Sequence, residues 1–390
     1  MELYIHIPFC MKKCEYCDFL SGVYDANTRQ EYANALCREI DFFGKKYSDI
    51  PIETIYIGGG TPTWLETRWM DQIMDTVWQS FSIMDDAEIT MECNPGTASI
   101  SAIASYRRWG LNRLSIGLQS ANEDELVLLG RIHNYDRFLK TFENARRCGI
   151  FNINVDIMTG LPGQTEEKLF HTLSSVCSLK PEHISAYSLS IEKGTPFYEK
   201  YRFDAVKQHA AMETEYLPDD ETVYRLCKLT EGYLEERGYR RYEISNYARE
   251  GMECRHNIGY WIRTPYLGVG LGASSLIGDV RYQNESDIRE YIRKSANMGD
   301  PEEASVLWDE NIKLSRTDEV AEYMYLGLRM TDGISRSGFE KTFGQSVDAY
   351  YRGVMDELKD QELLALDGGR IRLTDRGLDV YNRAAAMFLL

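Results

Sequence analysis

The chain opens Met1-Glu-Leu3-Tyr4-Ile5-His6-Ile7-Pro8-Phe9-Cys10-Met-Lys-Lys-Cys14-Glu-Tyr16-Cys17-Asp-Phe19. Leu3–Ile7 is a run of β-branched and aromatic residues, the composition of a short strand. Three cysteines then follow inside one short loop. With nine cysteines in 390 residues, chance gives this spacing in roughly one chain of two hundred. The chain therefore begins with a strand that ends on a group of reactive side chains.

That arrangement recurs downstream. Strand-like runs fall at Leu3–Ile7, Thr54–Ile57, Glu88–Glu92, Arg113–Ile116, Ile153–Ile157 and His183–Ser188. Helical stretches lie between them, near Arg29–Lys46, Arg68–Phe81, Ile100–Trp109, Asp136–Cys148 and Glu166–Ser178. Such alternation predicts an α/β fold with a parallel sheet. Polar or glycine residues sit at strand after strand: Gly58-Gly59-Gly60, Glu92-Cys93-Asn94, Gln119 and Asp156. In a barrel those ends converge on one face, so the reading is a partial (β/α)6, TIM-like barrel rather than a doubly wound sheet.

Beyond Ser190 the pattern loosens. Gly194-Thr195-Pro196 reads as a turn, Asp219–Arg237 as a helix and Arg241–Ser245 as a strand. A stretch rich in Tyr, Gly and Asn runs from Asn246 to Leu276, and Asn297–Glu303 marks a plausible boundary. The last part predicts helices at Asp318–Arg329, Ser335–Phe343 and Ser346–Leu358. A hairpin follows, Leu363–Leu366 and Ile371–Leu373 around Asp367-Gly368-Gly369, then a closing helix Asp375–Phe388. The expected domains are 1–190 as barrel core, 191–300 as barrel extension and 301–390 as a smaller, helical, winged-helix-like unit.

Composition narrows the function. The net charge of −17 repels a phosphate backbone, and from Arg316 onward ten Lys or Arg face thirteen Asp or Glu. Nucleic acid is not an expected partner, despite the winged-helix shape. No run reaches the roughly eighteen apolar residues of a membrane span, although the reading leaves transient contact with a membrane surface open. No basic, then apolar, leader opens the chain, and the odd cysteine count suits reduced thiols, so the expected location is the cytoplasm.

For the cysteine loop, a structural zinc would want a second pair of ligands nearby, and none stands out. Cys37 falls in a helix and His6 in a strand. An iron–sulfur cube fits better: Cys10, Cys14 and Cys17 would wrap three corners and leave one iron free. Cys-x-x-x-Cys-x-x-Cys after a first strand resembles the motif of radical S-adenosylmethionine (SAM) proteins. Tyr4-Ile-His-Ile-Pro-Phe-Cys10 and Tyr16-Cys17-Asp18-Phe19 narrow this further. They resemble the branch of oxygen-independent coproporphyrinogen III oxidases and HemW-type heme chaperones, over nearly the whole chain. The resemblance implies a [4Fe–4S] cluster on the three cysteines, with SAM chelating the fourth iron.

A SAM pocket then has candidates at the other strand ends. Gly59, Gly60 and Thr61 offer carbonyls to an ammonium and N–H groups to a carboxylate. Glu92 suits ribose hydroxyls or the amino group, Gln119 both donates and accepts, and Arg131 suits the carboxylate. Asp156, in an otherwise apolar strand, needs a partner. These residues match SAM-binding positions of the family, as do Tyr4 and Tyr16. Gly160-Leu-Pro-Gly-Gln164 reads as a βα turn. Gly268-Val-Gly-Leu-Gly-Ala273 spells a dinucleotide fingerprint, but strand-like runs and no helix follow it.

Two features separate the branches. The oxidases carry a fourth cysteine two positions after the third, where Phe19 stands here, and a longer segment before the motif. Cys254-Arg-His256-Asn257-Ile-Gly-Tyr260-Trp261 is the other. An imidazole among aromatic rings suits heme, and His-Asn-x-x-Tyr-Trp is linked to heme in the chaperone branch. His256 is thus the expected heme contact, and Cys254 a candidate second ligand or thioether site. The expected function is a heme chaperone that binds cluster, SAM and heme and passes heme to acceptor proteins. The alternative is coproporphyrinogen III oxidation, and a cluster-sensing winged-helix regulator trails both. No catalytic acid or base stands out.

Overall fold

The computed structural model describes residues 1–210, 212–298 and 306–389. Its centre is six parallel strands in sequence order: β1 (Glu2–Ile7), β2 (Ile52–Gly59), β3 (Ile83–Cys93), β4 (Arg113–Gln119), β5 (Asn152–Thr159) and β6 (His183–Ser188). Between and after them come α1 (Ala26–Tyr47), α2 (Thr67–Ser80), α3 (Ile100–Arg108), α4 (Glu123–Leu128), α5 (Tyr135–Arg147) and α6 (Glu166–Ser178). Most of these helices begin where the sequence supplies an N-cap. Asp25, Ser99, Asn134 and Thr165 each accept a backbone N–H two or three residues into the helix.

The strands bury both faces, yet they alternate. On β4, Leu114, Ile116 and Leu118 pack into the helix-covered core, while Arg113, Ser115, Gly117 and Gln119 line an inner cavity. This period of two is what a barrel wall requires.

The barrel is partial. After α7 (Pro196–His209) and α8 (Asp220–Glu235), the short β7 (Arg240–Arg241) and β8 (Asn246–Ala248) extend the sheet antiparallel beyond β6. Next comes α9 (Arg255–Trp261), then β9 (Tyr266–Val269), which runs parallel to β1 on its far side. β10 (Ser274–Ile277), β11 (Val280–Asn284), α10 (Ile288–Ser295) and β12 (Trp308–Lys313) follow. These twelve strands form one sheet, ordered β12-β11-β10-β9-β1-β2-β3-β4-β5-β6-β8-β7. β12, numbered with the small domain in the sequence reading, pairs with β11 in this sheet.

The remainder packs around its own apolar cluster, including Phe339, Tyr351, Leu358 and Phe388. It comprises α11 (Arg316–Gly327), β13 (Ile334–Ser335), α12 (Arg336–Phe343), α13 (Val347–Asp360), β14 (Leu364–Asp367), β15 (Arg370–Leu373), α14 (Asp375–Asp379) and α15 (Tyr381–Ala386). Glu322 of α11 ties it to the sheet, receiving Arg263 at 3.1 Å and Arg281 at 2.8 Å.

Several expectations need correction. Arg241–Ser245 is not one strand: Arg241 ends β7, and buried Glu243 then folds the chain back by accepting the Ser245 backbone N–H and the Asn246 side-chain amide. Gly194-Thr195-Pro196 is a turn that opens a helix: Thr195 caps α7 and Pro196 is its first residue. The closing helix is broken at Val380, whose φ/ψ of −116°/32° is not helical. Most of the boundary at Asn297–Glu303 lies outside the described residues. Gly268–Ala273 ends β9 and connects it to β10 with no helix, as its sequence implies; Glu39 of α1 accepts the Gly270 N–H and Tyr32 OH the Leu271 N–H.

At the strands' N-terminal end, α9 is seated as a plug. Glu88 of β3 accepts the N–H groups of Arg255 and His256, and Gly259 lies against Glu2 of β1, whose carboxylate occupies the space a Cβ would need. Glu2 is buried with Oε2 unpartnered, and burial, then Glu88, raises its pKa to about 8. The folded protein thus favours neutral Glu2. Its penalty is absent below the unfolded pKa of 4.5 and grows as pH rises toward 8. Glu2→Gln should be near neutral at pH 5 and stabilising by roughly 1–3 kcal/mol at pH 8, read from urea melts at both pH values. A constant difference would contradict this account.

Candidate functional site

All six parallel strands point their C-terminal ends at one mouth, where the cysteine loop lies. Ladder bonds extend past the strands to hold the loop: the Gly60 N–H binds Ile7 O at 2.9 Å and the Thr61 N–H binds Phe9 O at 2.8 Å. The Cys10 N–H binds Gly22 O at 2.9 Å, and the Glu15 N–H binds Leu129 O at 3.1 Å. All three thiols are free. Among the described residues no three His, Cys, Asp or Glu side chains converge on a point suited to one ion. A cube makes no such demand, since each thiolate takes a different iron.

Behind the loop a cavity of about 350 Å³ runs down the barrel. It gathers eleven of the predicted residues: Cys10, Cys14, Cys17, Tyr16, Gly59, Gly60, Thr61, Glu92, Gln119, Arg131 and Asp156. Two donors address the cysteine sulfurs: Thr61 Oγ1 lies 3.7 Å from Cys10 Sγ, and Arg131 Nη1 lies 3.5 Å from Cys14 Sγ. Asn94, which the sequence places at the end of a strand without a role, joins them. Its amide donates to Thr61 Oγ1 at 2.6 Å and accepts from Arg131 Nη2 at 2.6 Å.

The carboxylates are held by fixed donors. Glu92 accepts from Tyr56 OH and the Gly59 N–H, both at 3.0 Å. Burial, then the nearby Asp156, pushes its pKa up to about 7. Asp156 accepts from Asn154 at 2.7 Å and Ser115 at 3.2 Å, and burial raises its pKa too. Gln119 ends β4 at φ 74°, a left-handed conformation that costs a non-glycine residue roughly 1 kcal/mol or more. A β-bulge between Gly117 and Gln119 accompanies it and turns the amide into the cavity.

One expectation about the glycine run fails. Gly59, Gly60 and Thr61 spend their N–H groups on Glu92, Ile7 and Phe9, so those groups are not offered to a ligand carboxylate.

Tyr4 and His256 do not line the cavity. Tyr4 bonds His6 Nδ1 at 3.0 Å and its ring stacks on Tyr56. His256 lies in the plug at the opposite end, 1% exposed. Its Nδ1 pairs with Thr54 Oγ1 at 2.7 Å and its Nε2 with Tyr260 OH at 3.0 Å. Burial, then Arg113, lowers its pKa to about 3. An axial heme ligand needs a free ring nitrogen facing open space, and His256 offers neither. Cys254 is equally enclosed: its thiol donates to Glu88 at 3.4 Å. From this motif, Asn257 alone lines the cavity.

The inner wall also brings in Tyr56, Arg113, Asn154, Ser185 and Tyr187. A signal for them existed. Polar residues spaced two apart in β4 and β5, such as Arg113/Ser115 and Asn154/Asp156, mark the face of a strand that looks into a lumen.

Known proteins share this architecture. The Radical SAM superfamily profile matches residues 4–176, and the HemN C-terminal domain profile matches 314–380. The heme chaperone HemW of Bacillus subtilis is 34% identical over 99% of this chain and 98% of its own. HemW of Escherichia coli is 37% identical over 70% of this chain and 69% of its own. Among solved structures, coproporphyrinogen III oxidase (HemN) from Escherichia coli, a radical SAM enzyme, aligns with a TM-score of 0.84. It covers 100% of this chain and 89% of its own at 24% identity, a likeness of fold.

Proposed function

We propose a function from one premise: the chain belongs to the heme chaperone HemW family, within the radical SAM superfamily. It is a heme chaperone, which binds a [4Fe–4S] cluster, SAM and heme and hands heme to acceptor proteins. The observation that carries this is the near full-length identity to a heme chaperone. Phe19, 62% exposed at the mouth, stands where the oxidases have a further cysteine.

The residues present fit the cofactors. Cys10, Cys14 and Cys17 share one loop with sulfur-directed donors beside two of them, the kind of hydrogen bonding that tunes clusters. When bound, the cluster supplies an iron that SAM chelates through its amino and carboxylate groups. Arg131 would face that carboxylate from the place where Asn94 and the Gly117 carbonyl fix it. Glu92, Asp156 and Gln119 would take the polar groups of the ribose and amine. Tyr16, beside Cys17, would pack on SAM, and we retain Tyr4 only as support for Tyr56.

Heme would enter from the same mouth, where Met158, Tyr187 and Leu189 give the wall an apolar part suited to a porphyrin face. No described helix is long and apolar enough to cross a membrane. Nine free cysteines support a reducing, cytoplasmic location.

The test is heme titration of anaerobically purified protein, followed at the Soret band. Wild type should take up heme, and His256→Ala should do so within about two-fold, because the ring's nitrogens serve the plug. No uptake by wild type would sink the chaperone reading. Loss of the band in a folded His256→Ala protein would restore His256 as a ligand.

A further inference from the structure

We infer that Arg113 forms the floor of a separate anion subsite, which receives a carboxylate of the carried tetrapyrrole. This rests on the heme-chaperone reading and adds to it the place and chemistry of one cargo contact.

Arg113 is 2% exposed and lines the cavity from the inner face of β4. Its Nε has no partner. Among the described residues its guanidinium appears in no hydrogen bond of the kind that fixes other buried arginines, and it has no carboxylate within 4 Å. Three arginines less buried than it are engaged. Arg131 has Asn94 and the Gly117 carbonyl, Arg263 has Glu322, and Arg241 has the Ile244 carbonyl. A buried, permanently charged group without an acceptor is costly unless a ligand supplies one.

The acceptors around it are already oriented by other bonds. Glu88 holds the start of α9 through Arg255, His256 and Cys254. Asn154 Oδ1 takes His183 and Ser185. Asp156 accepts from Asn154 and Ser115, and Tyr242 OH donates to His183 Nε2 and accepts from the Cys254 N–H. These bonds already orient each acceptor, and none of the four bonds the guanidinium.

Depth separates this position from the cofactor residues. Arg113 begins β4 and Gln119 ends it, so their backbones stand about 20 Å apart along the strand at about 3.3 Å per residue. SAM has one carboxylate, and the residues suited to it lie at the mouth beside the cysteines. An anion at the floor therefore belongs to another molecule. Guanidinium geometry favours a planar carboxylate taken side-on, and the Asn257 amide of the plug lines the same cavity. Heme carries two propionates along one edge, so an edge-first entry would place a carboxylate at Arg113 and leave the macrocycle near Tyr187 and Leu189.

The experiment compares iron mesoporphyrin with its dimethyl ester, titrated onto the full chain with its cluster reconstituted. Wild type should bind the diacid about ten-fold or more tighter, the range of a charge-assisted hydrogen-bonded pair. Arg113→Met should bind both forms alike, with diester and SAM affinities within two-fold of wild type, and Arg113→Lys should recover part of the preference. Binding of neither form by wild type would overturn the chaperone reading itself. Equal binding of both by wild type would overturn only the Arg113 subsite. So would an undiminished preference in Arg113→Met, or, if that variant does not fold, in Arg113→Lys. Loss of SAM affinity with the diacid preference intact would reassign Arg113 to the cofactor and also overturn it.

Discussion

Cys14→Ala should empty the loop of iron. Cys14 is the middle ligand of the three, and its sulfur is the one Arg131 addresses at 3.5 Å. Without it, two thiolates remain on a loop held chiefly by backbone bonds to Gly22 and Leu129. Two of four corners do not retain a cube against exchange with solvent thiols. Iron in the reconstituted protein should fall from about four atoms per chain to below one, and the absorbance near 400 nm should go with it. Cys254→Ala is the control. Its sulfur sits at the other end of the barrel against Glu88, so iron content should be unchanged. Full iron in Cys14→Ala would mean that the ligands lie elsewhere.

The cysteines of the loop also show what a sequence can disclose. Cys10, Cys14 and Cys17 are legible because their spacing is local: one loop brings them together without any knowledge of the fold. The parallel strands are legible for a related reason, since apolar runs lie between capped helix starts such as Asn134 and Thr165. Once the barrel is recognised, residues as distant as Thr61 and Asp156 can be assigned to one mouth, and the structure brings them there.

The His256 stretch lacks that support. A histidine among tyrosine and tryptophan has the chemistry of a heme contact, but α9 is seven residues long, too short for periodicity to say which face is buried. What decides is remote: Thr54, Glu88 and Glu2, each on a different strand, enclose it. Arg113 is hidden for another reason. At the start of an apolar strand it looks like a flanking charge, and only the inward period of β4 reveals that it faces the lumen. α7 is not legible because Thr195-Pro196 serves equally to end a turn and to start a helix.

Gly60 shows why the glycine run is needed even where no ligand touches it. A Cβ there would stand 2.8 Å from Phe9 O and 3.0 Å from Phe9 N. These are backbone atoms of the segment that leads into Cys10, and they cannot rotate away as a side-chain tip can. The Gly60 and Thr61 N–H groups bind Ile7 and Phe9 in the same few residues, so relief of the clash must pull the cysteine loop off the end of β2. Gly60→Ala should therefore destabilise the apo protein by roughly 2–4 kcal/mol and reduce reconstituted iron to less than half, although no ligand atom is removed. Gly353→Ala, in the exposed middle of α13 with nothing within 4 Å of the added carbon, should instead stabilise by roughly 0.5–1 kcal/mol. Paired urea melts and iron assays check both. If Gly60→Ala kept wild-type iron and stability, the glycine would serve ligand contact alone, and the loop would owe its position to something other than its packing on β2.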